Sequence, residues 1–170
     1  MENNTATLSS TVTVITPEIL LKHWQGHRAL TRRVIAAFPE KELFNYSIGG
    51  MRPFARLAME MIDLAGPGMQ GFVTNEWDKI EEMPHHTGEG MPETKAELLE
   101  LWDEITRVID DLWGELTPHR FAETVVAFGQ YENPVYSTIL YFVDNEIHHR
   151  GQGYVYLRSL NIEPPFFWER

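Results

Sequence analysis

The run Asp144-Asn145-Glu146-Ile147-His148-His149-Arg150-Gly151-Gln152 puts two imidazoles, two carboxylates and a carboxamide into one stretch that reads as helix. Any of them facing a core needs a partner, because a buried polar group left unpaired costs about 1–3 kcal/mol. A divalent cation is the sharpest reason for such a cluster. The steps Val135, Thr138, Phe142, Asn145, His149, Gln152 and Tyr156 trace one inner face. Residues four apart lie about 40° apart around a helix axis. Asn145 and His149 therefore project side by side, while His148 points about 100° away, to a seam between helices or to solvent.

The chain has no Cys, so thiolate ligands, disulfides and cysteine nucleophiles are excluded. A metal would need imidazole and carboxylate donors from several helices. The nearest candidates are His27 on the first helix and Glu60 on the second. Plainer readings stand beside these. His27 on an apolar stripe reads as a core histidine, and Glu60 as the partner of Arg56, four residues away. His85-His86 reads as exposed loop residues, and Arg150 and Arg158 as ion-pair partners of acids on a neighbouring helix. Trp24, Phe54, Trp102 and Phe142 read as core. No nucleophile elbow, phosphate loop, zinc-protease helix or dinucleotide fingerprint is present.

The elements that must position these residues are legible from periodicity and punctuation. Residues 1–15 read as a loose arm before a single domain over 16–170. Thr16-Pro17 opens a first helix whose stripe is Leu20, Trp24, His27, Thr31, Val34 and Phe38, and Pro39 ends it. A second helix is predicted from about 52 to 65, with Phe54, Leu57, Ala58, Met61 and Ala65 inward and Gly66-Pro67-Gly68 as its stop. Residues 66–92 then read as a long irregular connection. Thr94-x-x-Glu97 forms a capping box for a third helix that closes at Thr117-Pro118. Residues 124–128 suit a short extended segment. Asn133-Pro134 opens the last helix, predicted to run to about Leu160, and the tail Phe166-Phe167-Trp168 must pack somewhere. Four amphipathic helices with a long crossover between the second and third predict an all-α four-helix bundle.

Composition bounds the function. A chain of 170 residues suits one domain. Lys+Arg 14 against Asp+Glu 25 gives a net charge of −11, which disfavours nucleic acid and anionic lipid as partners. No apolar run approaches the length of about 18 residues that a membrane span needs. The reading is a soluble cytoplasmic protein with no membrane association.

His148-His149-Arg150-Gly151-Gln152 on the last helix of a bundle, followed by Tyr156-Leu157-Arg158, resembles the DinB-like (DinB/YfiT) superfamily of bacterial proteins. The resemblance extends in architecture from Thr16 to Leu160 and takes in the tail Ile162-Glu163-Pro164-Pro165. It implies a divalent metal on three histidines, one on the second helix and two spaced by four on the last. Carried onto this chain, the second of that pair is His149, the first falls on Asn145, and the second-helix ligand falls at or near Phe54. One expected ligand in three remains, and a rearranged set of His149, Asn145 and Glu60 replaces the triad. The resemblance further implies a homodimer and a thiol-dependent transferase or isomerase using zinc, nickel or iron, with a small molecule in the bundle cavity. His27 or His148 is then the candidate base. On the alternative reading the protein is a metal-free, non-enzymatic binding or stress-associated dimer, its former cavity filled by Phe54 and a hydrogen-bonded Asn145–His149 pair.

Overall fold

Thr16 caps the first helix through its hydroxyl, which accepts from the Ile19 N–H at 3.3 Å, and Pro17 takes the first helical position. The computed structural model describes residues 14–170. The expected arm, apart from Val14 and Ile15, lies outside the described residues. The first helix, α1, spans Pro17–Ala37. Beyond it Pro39 leads straight into a short helix, α2, over Glu40–Asn45, which the periodicity did not reveal.

The next helix, α3, spans Phe54–Thr74, so Gly66-Pro67-Gly68 does not stop it. Pro67 lacks the N–H that would bond the carbonyl four residues back, yet packing carries the helix through. A Cβ at Gly66 would lie 2.8 Å from Ile105, and one at Gly68 would strike the Phe142 ring. These glycines are sites of close approach, not breaks. The true stop is Asn75, in the left-handed region at φ 64°, whose N–H bonds the Gly71 carbonyl. The crossover is correspondingly shorter than 66–92 and partly ordered, with a 3-10 turn at Ile80–Glu82 and a one-turn helix, α4, at Pro84–Thr87.

The capping box forms as its residues predict. Thr94 Oγ1 accepts from the Glu97 N–H at 3.2 Å, and Glu97 Oε2 accepts from the Thr94 N–H at 3.0 Å, opening α5 over Lys95–Trp113. The extended segment is real and has a partner. Strand β1, Thr124–Ala127, pairs antiparallel with β2, Tyr131–Pro134, with Thr124 opposite Pro134. Asn133-Pro134 thus belongs to a strand, and the last helix, α6, Val135–Ser159, starts without a side-chain cap. It ends at Asn161, at φ 59°, past which the Ile162 N–H bonds the Leu157 carbonyl at 2.9 Å.

α1 and α3 each pack against both α5 and α6, closing a bundle of four long helices with the hairpin at one end. Two apolar clusters fill it. One holds Trp24, Met69, Phe72, Trp113 and Phe142; the other holds Phe38, Phe54, Trp102 and Tyr156. Between them lies a polar belt of His27, Arg28, Thr31, Glu60, Thr106, Asn145, Glu146, His149 and Arg150, tied by hydrogen bonds across the helices. The tail rings do not find a core: Phe166, Phe167 and Trp168 are exposed, and Glu169 pairs with Arg33 at 3.1 Å. Among the described residues no helix is long and apolar enough to cross a membrane.

Candidate functional site

α6 is buried on two adjacent stripes, because it sits between α1 and α3. The sequence shows one of them. Asn145 and His149 face α3, while Glu146 and Arg150, one residue further round, face α1.

On the α3 side Glu60 is the centre. Its Oε1 accepts from Asn145 Nδ2 at 3.0 Å and stands 2.9 Å from His149 Nε2, and its Oε2 is paired with Arg52. Burial alone would raise this carboxyl, but hydrogen bonds from His149, Arg52 and Asn145 outweigh it and hold it well below the usual range. Glu60 is therefore an anion with Arg52, not Arg56, beside it. Arg56 instead donates to the carbonyls of His85 and His86 at 2.9 Å. His149 Nδ1 faces Gln152 Oε1 at 2.9 Å, and Gln152 Nε2 lies 3.4 Å from His148 Nε2. His149 is buried and His148 exposed, as the helical geometry predicts. Asn145 and His149 do not bond each other; both reach for Glu60. Phe54 lies in the core against Phe38 and Gly153, stacked at 4.8 Å on the former. At the rim, burial and then the Glu60 charge push the Tyr141 phenol up, so it stays a donor.

The structure thus brings the three proposed ligands, His149, Asn145 and Glu60, to one point. Among the described residues no group of three or more His, Cys, Asp and Glu is placed to hold a metal, since the third member here is a carboxamide. Asn145 Oδ1 is nonetheless buried and lacks a hydrogen-bond partner.

His27 belongs elsewhere. Its Nδ1 takes Arg150 NH2 at 2.9 Å, and it shares no hydrogen bond with Glu60, Asn145 or His149. Burial first, then the charges of Arg150, His23 and Arg170, lower its pKa to about 3, so it is neutral. Glu146 is buried beside it, accepting from Thr31 Oγ1 at 2.6 Å with Arg150 NH1 at 3.8 Å. Burial pushes its carboxyl up, against the pull of Arg28, Thr31 and Arg150. Arg150 is therefore paired within its own helix and to α1, while Arg158 is exposed. Arg28 completes the layer, lying 3.5 Å over the Trp102 ring and donating to Thr106 and to the Trp102 carbonyl.

Sequence reasoning missed Arg52, Glu146 and the buried pair Asp63–His85. Asp63 Oδ2 accepts from the His85 N–H at 2.9 Å and from its Nδ1 at 2.7 Å. His85 is thus buried, and only His86 behaves as an exposed loop residue. The available signal was an Asp standing in the apolar run Met61-Ile62-Asp63-Leu64.

The DinB family model matches residues 1–169. No curated protein matches the chain. Among solved structures, a DinB-like protein from Bacillus cereus is similar at TM-score 0.70 and 16% identity, over 89% of this chain and 97% of its own. A DinB-like protein from Bacillus subtilis is similar at TM-score 0.68 and 16% identity, over 89% and 99%. A mycothiol-dependent maleylpyruvate isomerase is similar at TM-score 0.63 and 17% identity, over 80% of this chain and 60% of its own. At these identities the likeness is one of fold.

Proposed function

This chain belongs to the DinB family, and on that premise we propose that Glu60, Asn145 and His149 form an altered divalent-cation site in a thiol transferase- or isomerase-type protein. The observation that carries the reading is the surroundings of His149, whose two ring nitrogens each face an oxygen at 2.9 Å, Gln152 Oε1 and Glu60 Oε1. With Nδ1–H given to Gln152, a bare Nε2 would face a carboxylate, lone pair to lone pair. A divalent cation there would satisfy both lone pairs. The fit to a metal is supported by the orphaned Asn145 Oδ1, which a turn of the amide presents to the same point.

His149 Nε2, the Glu60 carboxylate and Asn145 Oδ1 would hold the cation, and one nitrogen with two oxygens suits iron or manganese better than zinc. Bound there, a divalent cation lowers the pKa of a thiol and orients it as nucleophile. The protein's own groups prepare the place. Gln152 fixes the His149 tautomer, as partners of ligating histidines do, and Arg52 holds the second Glu60 oxygen. Gln152 Nε2 lies 3.4 Å from His148 Nε2, and this exposed imidazole stands at the rim. His148, not His27, is the base candidate on this geometry. The mycothiol dependence of one structurally similar isomerase supports a thiol as co-substrate.

A second reading rests on Arg52. With a guanidinium on one oxygen and two N–H donors on the other, Glu60 is already saturated, which favours a metal-free binding protein on the same fold. Elemental analysis after incubation with zinc, nickel, iron(II) and manganese separates the two. The metal reading expects close to one ion per chain, lost in His149→Ala, and fails below about 0.1 per chain. A single domain over 16–170 and a homodimer are part of the proposal. Exposed Tyr136, Leu140, Ile147 and Val155 on α6 are the surface a second copy would cover, and sedimentation equilibrium reads it.

A further inference from the structure

Where α1 begins and α5 stops, a cavity of about 490 Å³ opens between the two helices and the chain that follows α5. Its size falls within the range of about 300–1,000 Å³ typical of small-molecule sites. Among the described residues its walls are chiefly apolar: Leu21 of α1, Trp113 in the last turn of α5, and Leu116, Pro118 and Phe121 beyond it. The Trp113 and Phe121 rings stand 5.2 Å apart, both buried. No residue here belongs to the Glu60 site, and the cation chemistry proposed there makes no use of this cavity.

Two features of the walls call for an occupant. The first is Trp113 Nε1, a buried N–H with no acceptor among the described residues. Folded proteins seldom leave such a donor unpaired without a reason. The second is Gly114, which also lines the cavity. It lies in the right-handed helical region at φ −64°, a conformation open to any residue. A Cβ there would meet the Asp111 carbonyl at 3.5 Å, an ordinary contact. Neither the backbone nor the packing requires a glycine at this wall. A larger side chain would instead take up room in the cavity.

The rim argues against an ionic ligand. Glu18 and Asp110 stand there with the Lys22 ammonium, so an anion would meet carboxylates and a cation would meet the ammonium. Asp110 Oδ1 already accepts from Gln25 Nε2 at 2.8 Å, which ties α1 to α5 at this edge. What the walls lack is one hydrogen-bond acceptor on an uncharged body. The two rings suit a flat aromatic one, which can stack on them or meet them edge-on.

We propose that this cavity binds an uncharged aromatic molecule carrying a carbonyl-type oxygen, with the Trp113 indole N–H as donor to that oxygen and Gly114 keeping the space open.

The test is NMR titration of the full chain with acetophenone, ethylbenzene and benzoate. Acetophenone has both ring and oxygen, ethylbenzene keeps the shape without the acceptor, and benzoate adds a charge. Saturable binding of one acetophenone per chain is expected. It should move the Trp113 indole N–H resonance, identified by its absence in Trp113→Phe, further than ethylbenzene does. Ethylbenzene is the more hydrophobic of the two, a difference that cancels when their affinity ratio is compared between parent and variant. In Trp113→Phe that ratio should shift against acetophenone by about fivefold or more. Gly114→Leu should stay folded by thermal unfolding and lose both ligands, which keeps the test decisive if Trp113→Phe does not fold. Absence of saturable binding, an indole N–H that answers both molecules alike, an unchanged ratio, or full affinity in Gly114→Leu overturns the proposal. So does benzoate binding more tightly than acetophenone, which would assign the cavity to anions through Lys22.

Discussion

Glu60 Oε1 lies 2.9 Å from His149 Nε2, and that contact joins α3 to α6 at the level where both apolar clusters give way to the polar belt. The carboxylate is short of water but not of donors, with Asn145 on the same oxygen and Arg52 on the other. Geometry, not exposure, therefore keeps it ionised.

Replacing Glu60 by Gln should remove a stabilisation that depends on pH in a defined direction. The folded carboxyl is held well below its ordinary value, so its contribution is complete above the unfolded carboxylate range, near pH 4.3. It is lost as pH falls from there through the folded value. Glu60→Gln is expected to be about 1–3 kcal/mol less stable than the parent at pH 7. The gap should narrow markedly at pH 3. Urea unfolding at both pH values measures it, and an unchanged gap would refute the ion-pair account.

The histidine on the other side of α6 titrates in a higher window. Burial first, and then Arg150, His23 and Arg170, depress the folded His27 to about 3, against about 6.5 for a free imidazole. Stability linked to His27 is whole above pH 6.5 and falls as the unfolded state takes up the proton that the folded state refuses. One such group imposes a slope of about 1.4 kcal/mol per pH unit below that point. His27→Gln keeps an acceptor for Arg150 but cannot titrate. Its stability between pH 7 and 5 should fall less steeply than the parent's. Parallel curves would show that His27 does not set this limb.

Much of this was readable in the residues, and the exceptions share a cause. Local signals worked where a side chain acts on its own backbone, as at Thr16, at Thr94 with Glu97, and at Asn161. They failed at Gly66-Pro67-Gly68, because Ile105 and Phe142 from other helices close on those glycines and outweigh the breaker. A single inner stripe placed Asn145 and His149 correctly. It overlooked Glu146 and Arg150, since a helix held between two others buries two stripes and periodicity displays the more apolar one. Arg52 was invisible because it stands ahead of α3 and reaches Glu60 eight residues on, a contact no helical spacing describes.

The crossover offers the last prediction, because two side chains of α3 hold both ends of α4. Arg56 donates to the His85 and His86 carbonyls at 2.9 Å, while Asp63 Oδ2 accepts the backbone N–H and the ring Nδ1–H of His85 at 2.9 and 2.7 Å. Asp63 thus serves a buried imidazole and a helix start with a single oxygen. Removing it in Asp63→Ala leaves two buried donors unanswered, each worth about 1–3 kcal/mol when desolvated. The loss should be local before it is global, because α4 is one turn long and the connection holds only a 3-10 turn besides it. Amide exchange at His85 and trypsin cleavage after Lys79 are expected to accelerate, while amides within α1 keep their protection. His86→Ala, at an exposed ring, should stay within about 0.5 kcal/mol of the parent. Uniform acceleration across the bundle in Asp63→Ala would mean that the pair stabilises the whole core and not the crossover alone.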